Sequence, residues 1–174
     1  MEYCPLFCEG EELGHGRQEN IWKLCQARCS KDDYAVVISN PSREVLMARQ
    51  GSHELVVWDY HVVLVDARAG IVHDCGSSLG MSVPFAVYFE ASFPPTTRDR
   101  LFNVVPGAEY IKSFSSDRSH MLDNQGNYIS PPPEWEPIWN GEDSLQLLIN
   151  MHGPYVLTER EFVEFITSRA SVAS

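Results

Sequence analysis

Basic residues are scarce in this chain. Its 174 residues include 13 Lys and Arg against 24 Asp and Glu, a formal net charge of −11 with His counted as neutral. Proteins that bind nucleic acid or anionic membranes usually carry a basic patch, because phosphate groups must be neutralised. We therefore expect no nucleic acid and no membrane among the partners, and neutral or basic peptides suit the acidic surface better.

Long apolar segments are also missing. No stretch approaches the roughly 20 consecutive apolar residues that a membrane-spanning helix needs, and the first residues lack the basic and apolar parts of a secretory signal. These absences predict a protein of the cytoplasm, or of the cytoplasm and nucleus. A chain of 174 residues can bury a core without metal or disulfide support, so we expect a single domain over residues 1–174. We further expect a monomer.

Cysteine is sparse, and its spacing is poor for a metal site. The chain has five Cys, of which four form two C-x3-C pairs, Cys4 with Cys8 and Cys25 with Cys29. No C-x2-C pair occurs, and Cys25 and Cys29 have the i, i+4 spacing of one helix face, so a helix explains them better than a four-thiolate zinc site. The odd count favours reduced thiols over a disulfide framework. The cysteine spacing thus predicts no metal site.

Strand patterns occupy the middle of the chain, and helical patterns occupy its two ends. Residues 1–18 lack a clear period and predict an irregular segment. Apolar spacing predicts a helix from Glu19 to about Cys29, and a capping box at Thr158–Glu161 opens another that reaches Thr167. The predicted strands are 34–39, 45–48, 55–65 and 101–105. This order favours an α+β domain with a central antiparallel sheet and flanking helices.

His61 interrupts the apolar run Leu55–Val65, which predicts one buried strand. In a single strand Asp59 and His61 share a face, because side chains alternate with a period of two. A buried histidine with a hydrogen-bond partner is an ordinary core feature, so this residue alone indicates no function. However, the turn at 66–70 and the strand after it form a hairpin that brings Asp74 beside His61. Such a His–Asp pair favours catalysis.

A His–Asp pair becomes a catalytic triad when a nucleophile joins it. We expect a thiol at the N-terminus of the first helix, where the helix dipole and an imidazolium both stabilise a thiolate. The order Cys, His, Asp matches papain-like and transglutaminase-like catalysis. Residues 117–120 form a second group of polar side chains. They fit an ordinary solvated turn as well as they fit a functional site.

Three blocks of this sequence closely resemble protein N-terminal glutamine amidohydrolases, and the resemblance covers nearly the whole chain. The blocks are Glu19–Cys25, Trp58–Leu64 and Ser116–Met121, and Pro131–Pro133 falls where that family also has prolines. In that family a Cys–His–Asp triad on a papain-like or transglutaminase-like fold converts glutamine at a protein's N-terminus to glutamate. The reaction releases ammonia and feeds the N-degron pathway.

The resemblance implies His61 as the base and Asp74 as the acid that orients it. It also implies substrates that are proteins or peptides with a free N-terminal Gln, and it implies no cofactor. Binding a free α-ammonium requires acceptor groups, for which Asp59, Asp117 and Ser119 are the candidates. A thiol protease or a transglutaminase has the same triad, but neither accounts for the three blocks.

The nucleophile departs from the family pattern. The family has Cys-Glu-Glu-Asn before Ile-Trp-Lys-Leu-Cys, whereas this chain has Arg17-Gln18-Glu19-Asn20. Without a gap, Arg17 takes the catalytic position, which predicts an inactive homologue that binds N-terminal peptides or a protein partner. With residues 10–18 treated as an insertion, Cys8-Glu9 joins Glu19-Asn20 in the family pattern, and we favour this alignment. Cys75 lies close to Asp74 in sequence, but it lacks activation by a helix terminus.

Overall fold

A six-stranded antiparallel sheet forms the centre of the part of the chain that the structure describes. This computed structural model describes residues 17–28, 30–96, 99–129, 131–142 and 144–171. The elements in chain order are α1 (Arg17–Arg28), β1 (Asp33–Ser39), β2 (Val45–Gln50), β3 (His53–Trp58), β4 (His61–Asp66), β5 (Ile71–His73), β6 (Ser82–Pro84), α2 (Phe85–Ser92), β7 (Leu101–Pro106), α3 (Gly107–Ser113), a 3-10 helix (Ser119–Met121), α4 (Leu145–Ile149), β8 (Val156–Thr158) and α5 (Glu159–Ala170). The predicted α+β class with a central antiparallel sheet is confirmed.

The central sheet has the strand order β6-β5-β4-β1-β7-β8. In its middle, Val36 of β1 lies opposite Val63 of β4 and Val104 of β7. Both faces of β1 and β4 are covered, so their residues are apolar on either side rather than alternating with polar ones. β2 and β3 form a separate two-stranded sheet.

The prediction of one strand over Leu55–Val65 is wrong. β3 and β4 belong to different sheets, and the chain changes direction between them at Asp59 and Tyr60. Leu55 is 55% exposed, so the apolar run mixes the outer face of a surface hairpin with a buried strand. Asp59 is exposed whereas His61 is buried, and therefore the two residues do not share a strand face. A run of apolar residues does not reveal a change of sheet.

Helix α1 lies along β4 on one face of the central sheet. Its apolar side chains pack in one cluster with Val62 and Leu64 of β4. At the C-terminal end of the helix, Arg28 donates to Asp33 and Asp66, and at the other end Tyr60 contacts Gln18. A helix of 12 residues spans about 18 Å, close to the roughly 20 Å of a six-residue strand. The N-terminus of α1 is thereby placed at the end of β4 where His61 begins the strand.

The helix starts at Arg17, two residues before the predicted boundary, so the last residues of the predicted irregular segment are helical. Gln18 is 1% exposed, and Tyr110 from α3 donates to its carbonyl oxygen at 3.1 Å. Tertiary contacts of this kind extend a helix beyond the limit that its own sequence pattern sets.

Helices α2 and α5 cover the opposite face of the sheet with an aromatic core. Phe102 of β7 stacks on Phe162 of α5 with ring centroids 4.4 Å apart, and Phe85 of α2 meets Phe162 edge to face at 5.6 Å. The predicted capping box at the start of α5 is confirmed, since the Thr158 and Glu161 side chains each accept a bond from the other's backbone. None of the helices in the described ranges is long and apolar enough to cross a membrane.

Replacing Phe162 tests the importance of this aromatic core. Phe162→Ala should lower the free energy of unfolding by about 3–5 kcal/mol, because it removes a buried ring and leaves a cavity. The matched control is Leu147→Ala, at a side chain that is 70% exposed, which should change stability by about 0.5 kcal/mol or less. Urea denaturation followed by circular dichroism measures both. Equal losses in the two variants would contradict the assignment of the core.

Candidate active site

The structure brings His61 and Asp74 together in the interior. His61 begins β4, and Asp74 directly follows β5, which pairs with β4 in the hairpin that the sequence predicts. His61 Nε2 donates to Asp74 Oδ2 at 3.0 Å, and the two residues are 1% and 2% exposed. Because a carboxylate can only accept, this bond places the proton of a neutral imidazole on Nε2. Nδ1 is then the atom with the lone pair that a general base needs.

Asp74 receives donors from four separate parts of the chain. Besides His61, Gln50 Nε2 and Tyr88 OH donate to Oδ2 at 3.0 and 2.7 Å, and the backbone N–H of Gly76 donates to Oδ1 at 2.8 Å. Burial acts to raise the pKa of Asp74, but the charge and hydrogen bond of His61, with the bonds from Gln50 and Tyr88, hold that pKa well below its ordinary value. The carboxylate therefore stays charged and fixed in orientation.

Sequence reasoning missed Gln50 and Tyr88. Gln50 ends β2 in the smaller sheet, where it forms an isolated bridge with Ser77, and Tyr88 lies on α2. Neither residue type, nor its spacing from Asp74, distinguishes it from other polar residues of the chain. Gln50 reaches the carboxylate because the β2–β3 hairpin packs against the turn after Asp74, where Ser78 N–H donates to the carbonyl oxygen of Arg49 at 2.9 Å.

The first turn of α1 contacts the segment that leads into β4. Tyr60, the residue before His61, donates its hydroxyl to Gln18 Oε1 at 3.3 Å. His120 Nε2 lies 2.9 Å from Gln18 Nε2 and acts as the acceptor of that bond. The exposed backbone amides and the positive end of the dipole at a helix N-terminus favour an anion. This end of α1 therefore suits a thiolate, and it suits the oxyanion of an acyl-transfer reaction.

The three predicted substrate-binding residues lie in the two segments that contact Gln18, one through Tyr60 and the other through His120. Asp59 precedes Tyr60, and its Oδ1 accepts from the backbone N–H of Tyr60 at 2.9 Å. Asp117 Oδ1 accepts from the backbone N–H of Ser119 at 2.8 Å, and hydrogen bonds from Ser119 lower the pKa of Asp117. All three residues are exposed. The structure thus places acidic groups near the N-terminus of α1.

The cysteines divide into two groups. Cys8, the predicted nucleophile, lies outside the described residues, as do Cys4 and Cys29. Burial raises the pKa of the Cys25 thiol to about 12, which makes that thiol unreactive at neutral pH. Cys75 is partly exposed in the turn after Asp74 and not at a helix terminus. Within the described ranges, no cluster of three or more His, Cys, Asp or Glu side chains could hold a metal ion.

Residues 4–166 match the profile of the family described as N-terminal glutamine amidase. The chain belongs to this family. It is 36% identical over 163 residues to the protein N-terminal glutamine amidohydrolase of Homo sapiens, across 83% of this chain and 75% of that one. The Caenorhabditis elegans protein of the same name is 35% identical over 156 residues, across 82% and 79% of the two chains. The Bos taurus protein of the same name is 36% identical over 148 residues, which cover 75% of this chain and 71% of that one.

Membership of the N-terminal glutamine amidase family bears on the open question of the nucleophile. The match begins at residue 4, so it includes Cys8 and the segment 10–18 together with Arg17. In the structure Arg17 is the first residue of α1, the position that a helix-terminal nucleophile would occupy. If residues 10–18 are the predicted insertion, their removal would bring Cys8 to that position and Glu9 to the position of Gln18.

Asp74→Asn should make the free energy of unfolding less dependent on pH in the acidic range. The pKa of Asp74 is depressed in the folded protein, so its carboxylate contributes stability above the unfolded-state pKa of about 3.9 and loses it as the pH falls further. Removing this group should lower the slope of unfolding free energy against pH by up to about 1.4 kcal/mol per pH unit below about pH 4.

Urea denaturation across the acidic range measures that slope. Glu54→Gln, at an exposed position on β3, is the matched control and should keep the slope of the parent protein. A slope that is unchanged in Asp74→Asn would show that the carboxylate is not held as a buried anion.

Proposed function

We propose that this protein deamidates glutamine at the N-terminus of proteins and peptides, producing glutamate and ammonia. The observation that carries the proposal is the buried His61–Asp74 pair, whose histidine directly follows Tyr60, the residue that contacts the first turn of α1. The chain also belongs to the N-terminal glutamine amidase family, and its relatives are named protein N-terminal glutamine amidohydrolases.

The reaction proceeds through a thioester. His61 accepts the proton of the Cys8 thiol, and the thiolate attacks the carbon of the side-chain carboxamide. The C–N bond of the tetrahedral intermediate breaks as the imidazolium returns the proton to the departing nitrogen, which leaves as ammonia. Water, deprotonated by the same imidazole, then attacks the thioester carbonyl, and the thiolate leaves and is reprotonated. Glutamate is released, and the net change is the addition of one water and the loss of one ammonia.

Asp74 keeps the imidazole of His61 in the productive tautomer and stabilises the imidazolium that forms. The backbone amides at the first turn of α1 are the donors for the oxyanion, because they point out of the helix end where the nucleophile is placed. The order of the triad, with the proposed nucleophile at a helix start, His61 at the start of β4 and Asp74 directly after β5, supports a papain-like or transglutaminase-like fold.

The cellular setting follows from the same reaction. Conversion of N-terminal Gln to Glu is a step of the N-degron pathway, and we propose that the protein serves it as a monomer in the cytoplasm and nucleus. Thiol catalysis requires a reduced cysteine, because the thiolate is the nucleophile. This chemistry suits a reducing compartment.

Asp59, Asp117 and Ser119 are the groups that we propose to bind the α-ammonium of the substrate. Asp117→Asn should raise KM for a Gln-initiated peptide by about two- to fivefold with little change in kcat, because an exposed ion pair contributes about 0.2–1 kcal/mol. Steady-state ammonia release measures both constants. Asp123→Asn, also at an exposed turn, is the control and should match the parent enzyme. A change confined to kcat would exclude this role.

A catalytically silent homologue is the second candidate function. It is favoured by Arg17 at the start of α1 and by the buried Gln18 that follows it, since these residues take the positions of the family's Cys-Glu. Such a protein would use the exposed Asp59, Asp117 and Ser119 to bind N-terminal peptides or a protein partner, and it would not deamidate them.

Peptide turnover separates the two functions. With Gln-initiated peptide, the active enzyme should release ammonia and increase peptide mass by about 1 Da. An N-acetylated peptide, which lacks the α-ammonium, should not react. Cys8→Ala should abolish turnover and retain the fold, because it removes the nucleophile. Deletion of Gly10–Gln18 should increase the rate, because it brings Cys8 to the helix start, and misplacement of about 1 Å can cost a hundredfold in rate.

If the parent protein is folded and inactive while Arg17→Cys gains activity, the silent function is correct. Activity that survives Cys8→Ala would exclude Cys8 as the nucleophile.

A further inference from the structure

A buried ion pair joins the first turn of α1 to the loop before the 3-10 helix. Arg118 Nε donates to Glu19 Oε1 at 2.8 Å, and Arg118 Nη2 donates to Glu19 Oε2 at 2.7 Å. The Arg118 and Glu19 side chains are 4% and 0% exposed. The two residues are separated by 99 positions in the chain, so the pair fixes one segment against the other.

Trp135 completes the cluster from the proline-rich loop. Its indole Nε1–H donates to Glu19 Oε2 at 2.7 Å, and its carbonyl oxygen accepts from Arg118 Nη2 at 2.6 Å. Arg118 Nη1 also donates to the carbonyl oxygen of Pro133 at 3.4 Å. The Glu19 carboxylate thus accepts three hydrogen bonds, and it holds two loops against one helix turn.

This arrangement is costly for a purely structural contact. Burying an ion pair requires desolvation of both charges, and apolar residues of similar volume often stabilise a fold as well or better. Arg118 also has a φ of 61°, in the left-handed region that residues with a Cβ seldom occupy. Strained backbone of this kind concentrates at functional sites. Both costs fall on the residue that pairs with the first turn of α1.

The charge of Glu19 explains what the pair achieves. Glu19 is the third residue of α1, and an unpaired carboxylate there would oppose a second negative charge at the same helix end. The guanidinium of Arg118 cancels that charge. The helix N-terminus then remains favourable for an anion in a protein whose net charge is −11.

We propose that Arg118 is a positioning residue that neutralises Glu19 and fixes the first turn of α1, so that this helix end stabilises the Cys8 thiolate. The inference deepens the proposed function and rests on it, because it assumes that Cys8 acts at the N-terminus of α1.

Other ionisable groups surround the cluster, and the test leaves them unchanged. Lys23 stands over the Trp135 ring at 5.6 Å, and Tyr110 and Tyr60 lie close enough to interact electrostatically. Further ionisable groups in the described part of the chain are Tyr128 beside Arg118, His120 beside Gln18, Asp117 in the adjoining turn, and the His61–Asp74 pair. None of them changes identity in the variants below.

Two single substitutions should shift the reactivity of Cys8 in opposite directions. Arg118→Gln leaves the Glu19 anion unpaired and should raise the pKa of the Cys8 thiol by about 0.5 units or more. Glu19→Gln leaves the Arg118 cation unpaired and should lower that pKa by a similar amount. The rate of Cys8 alkylation by iodoacetamide against pH, followed by mass spectrometry of the Cys8 peptide, measures both. In the active enzyme, the acidic limb of kcat/KM should move in the same directions.

Three controls isolate the effect. Arg118→Lys keeps the charge and should give a smaller shift than Arg118→Gln, so it also carries the test if Arg118→Gln fails to fold. Arg100→Gln removes another buried arginine, which pairs with Glu159 at 2.7 Å, and it should not move the Cys8 profile. Circular dichroism and thermal melting verify the fold of each variant.

Opposite shifts support the inference. Shifts in the same direction, no shift in either variant, or an equal shift in Arg100→Gln would overturn it, since a purely structural contact predicts loss of stability without opposed displacement. Alkylation requires no turnover, so an inactive parent protein with opposed shifts would reject the proposed function and retain the positioning role of Arg118. An active parent protein without such shifts would support the proposed function and reject the positioning role of Arg118.

Discussion

A buried carboxylate must be fully hydrogen-bonded, and the arrangement of this protein around Asp74 follows from that requirement. Its donors come from β4, from the β2–β3 hairpin, from α2 and from the turn after β5. An unsatisfied charge in the interior would cost several kcal/mol, so these four segments must adopt their relative positions together. The same contacts leave the imidazole of His61 with one orientation. The requirement that stabilises the interior therefore also orients the imidazole that we propose as the catalytic base.

Helix α1 is held at both of its ends by ion pairs. At its C-terminal end Arg28 is held by Asp33 and Asp66, and at its N-terminal end Glu19 is held by Arg118. Fixing both ends of a helix that packs along β4 limits its sliding and rotation. Catalysis by a triad depends on distances within about 1 Å, so such restraint matters more at the site than the small stability that a partly exposed ion pair adds.

Much of the fold could be predicted from the sequence because its signals are local. The capping box at Thr158, the helical spacing after Glu19 and the turn at 66–70 each depend on residues a few positions apart. The apolar character of the central strands predicts them, but it does not show where β3 ends and β4 begins. Apolar content measures burial, and it does not indicate which sheet a segment joins.

The sequence by itself determined that His61 and Asp74 meet, because one hairpin separates them and its turn sets the register. It also carried the three blocks that indicate the family. Only the tertiary structure decided that Gln50 and Tyr88 bind the Asp74 carboxylate, and that Arg118 is buried whereas its neighbours Asp117 and Ser119 are exposed. Those contacts join segments from 14 to 99 residues apart. Their geometry follows from how helices and loops pack on the sheet, which no local pattern of residues encodes.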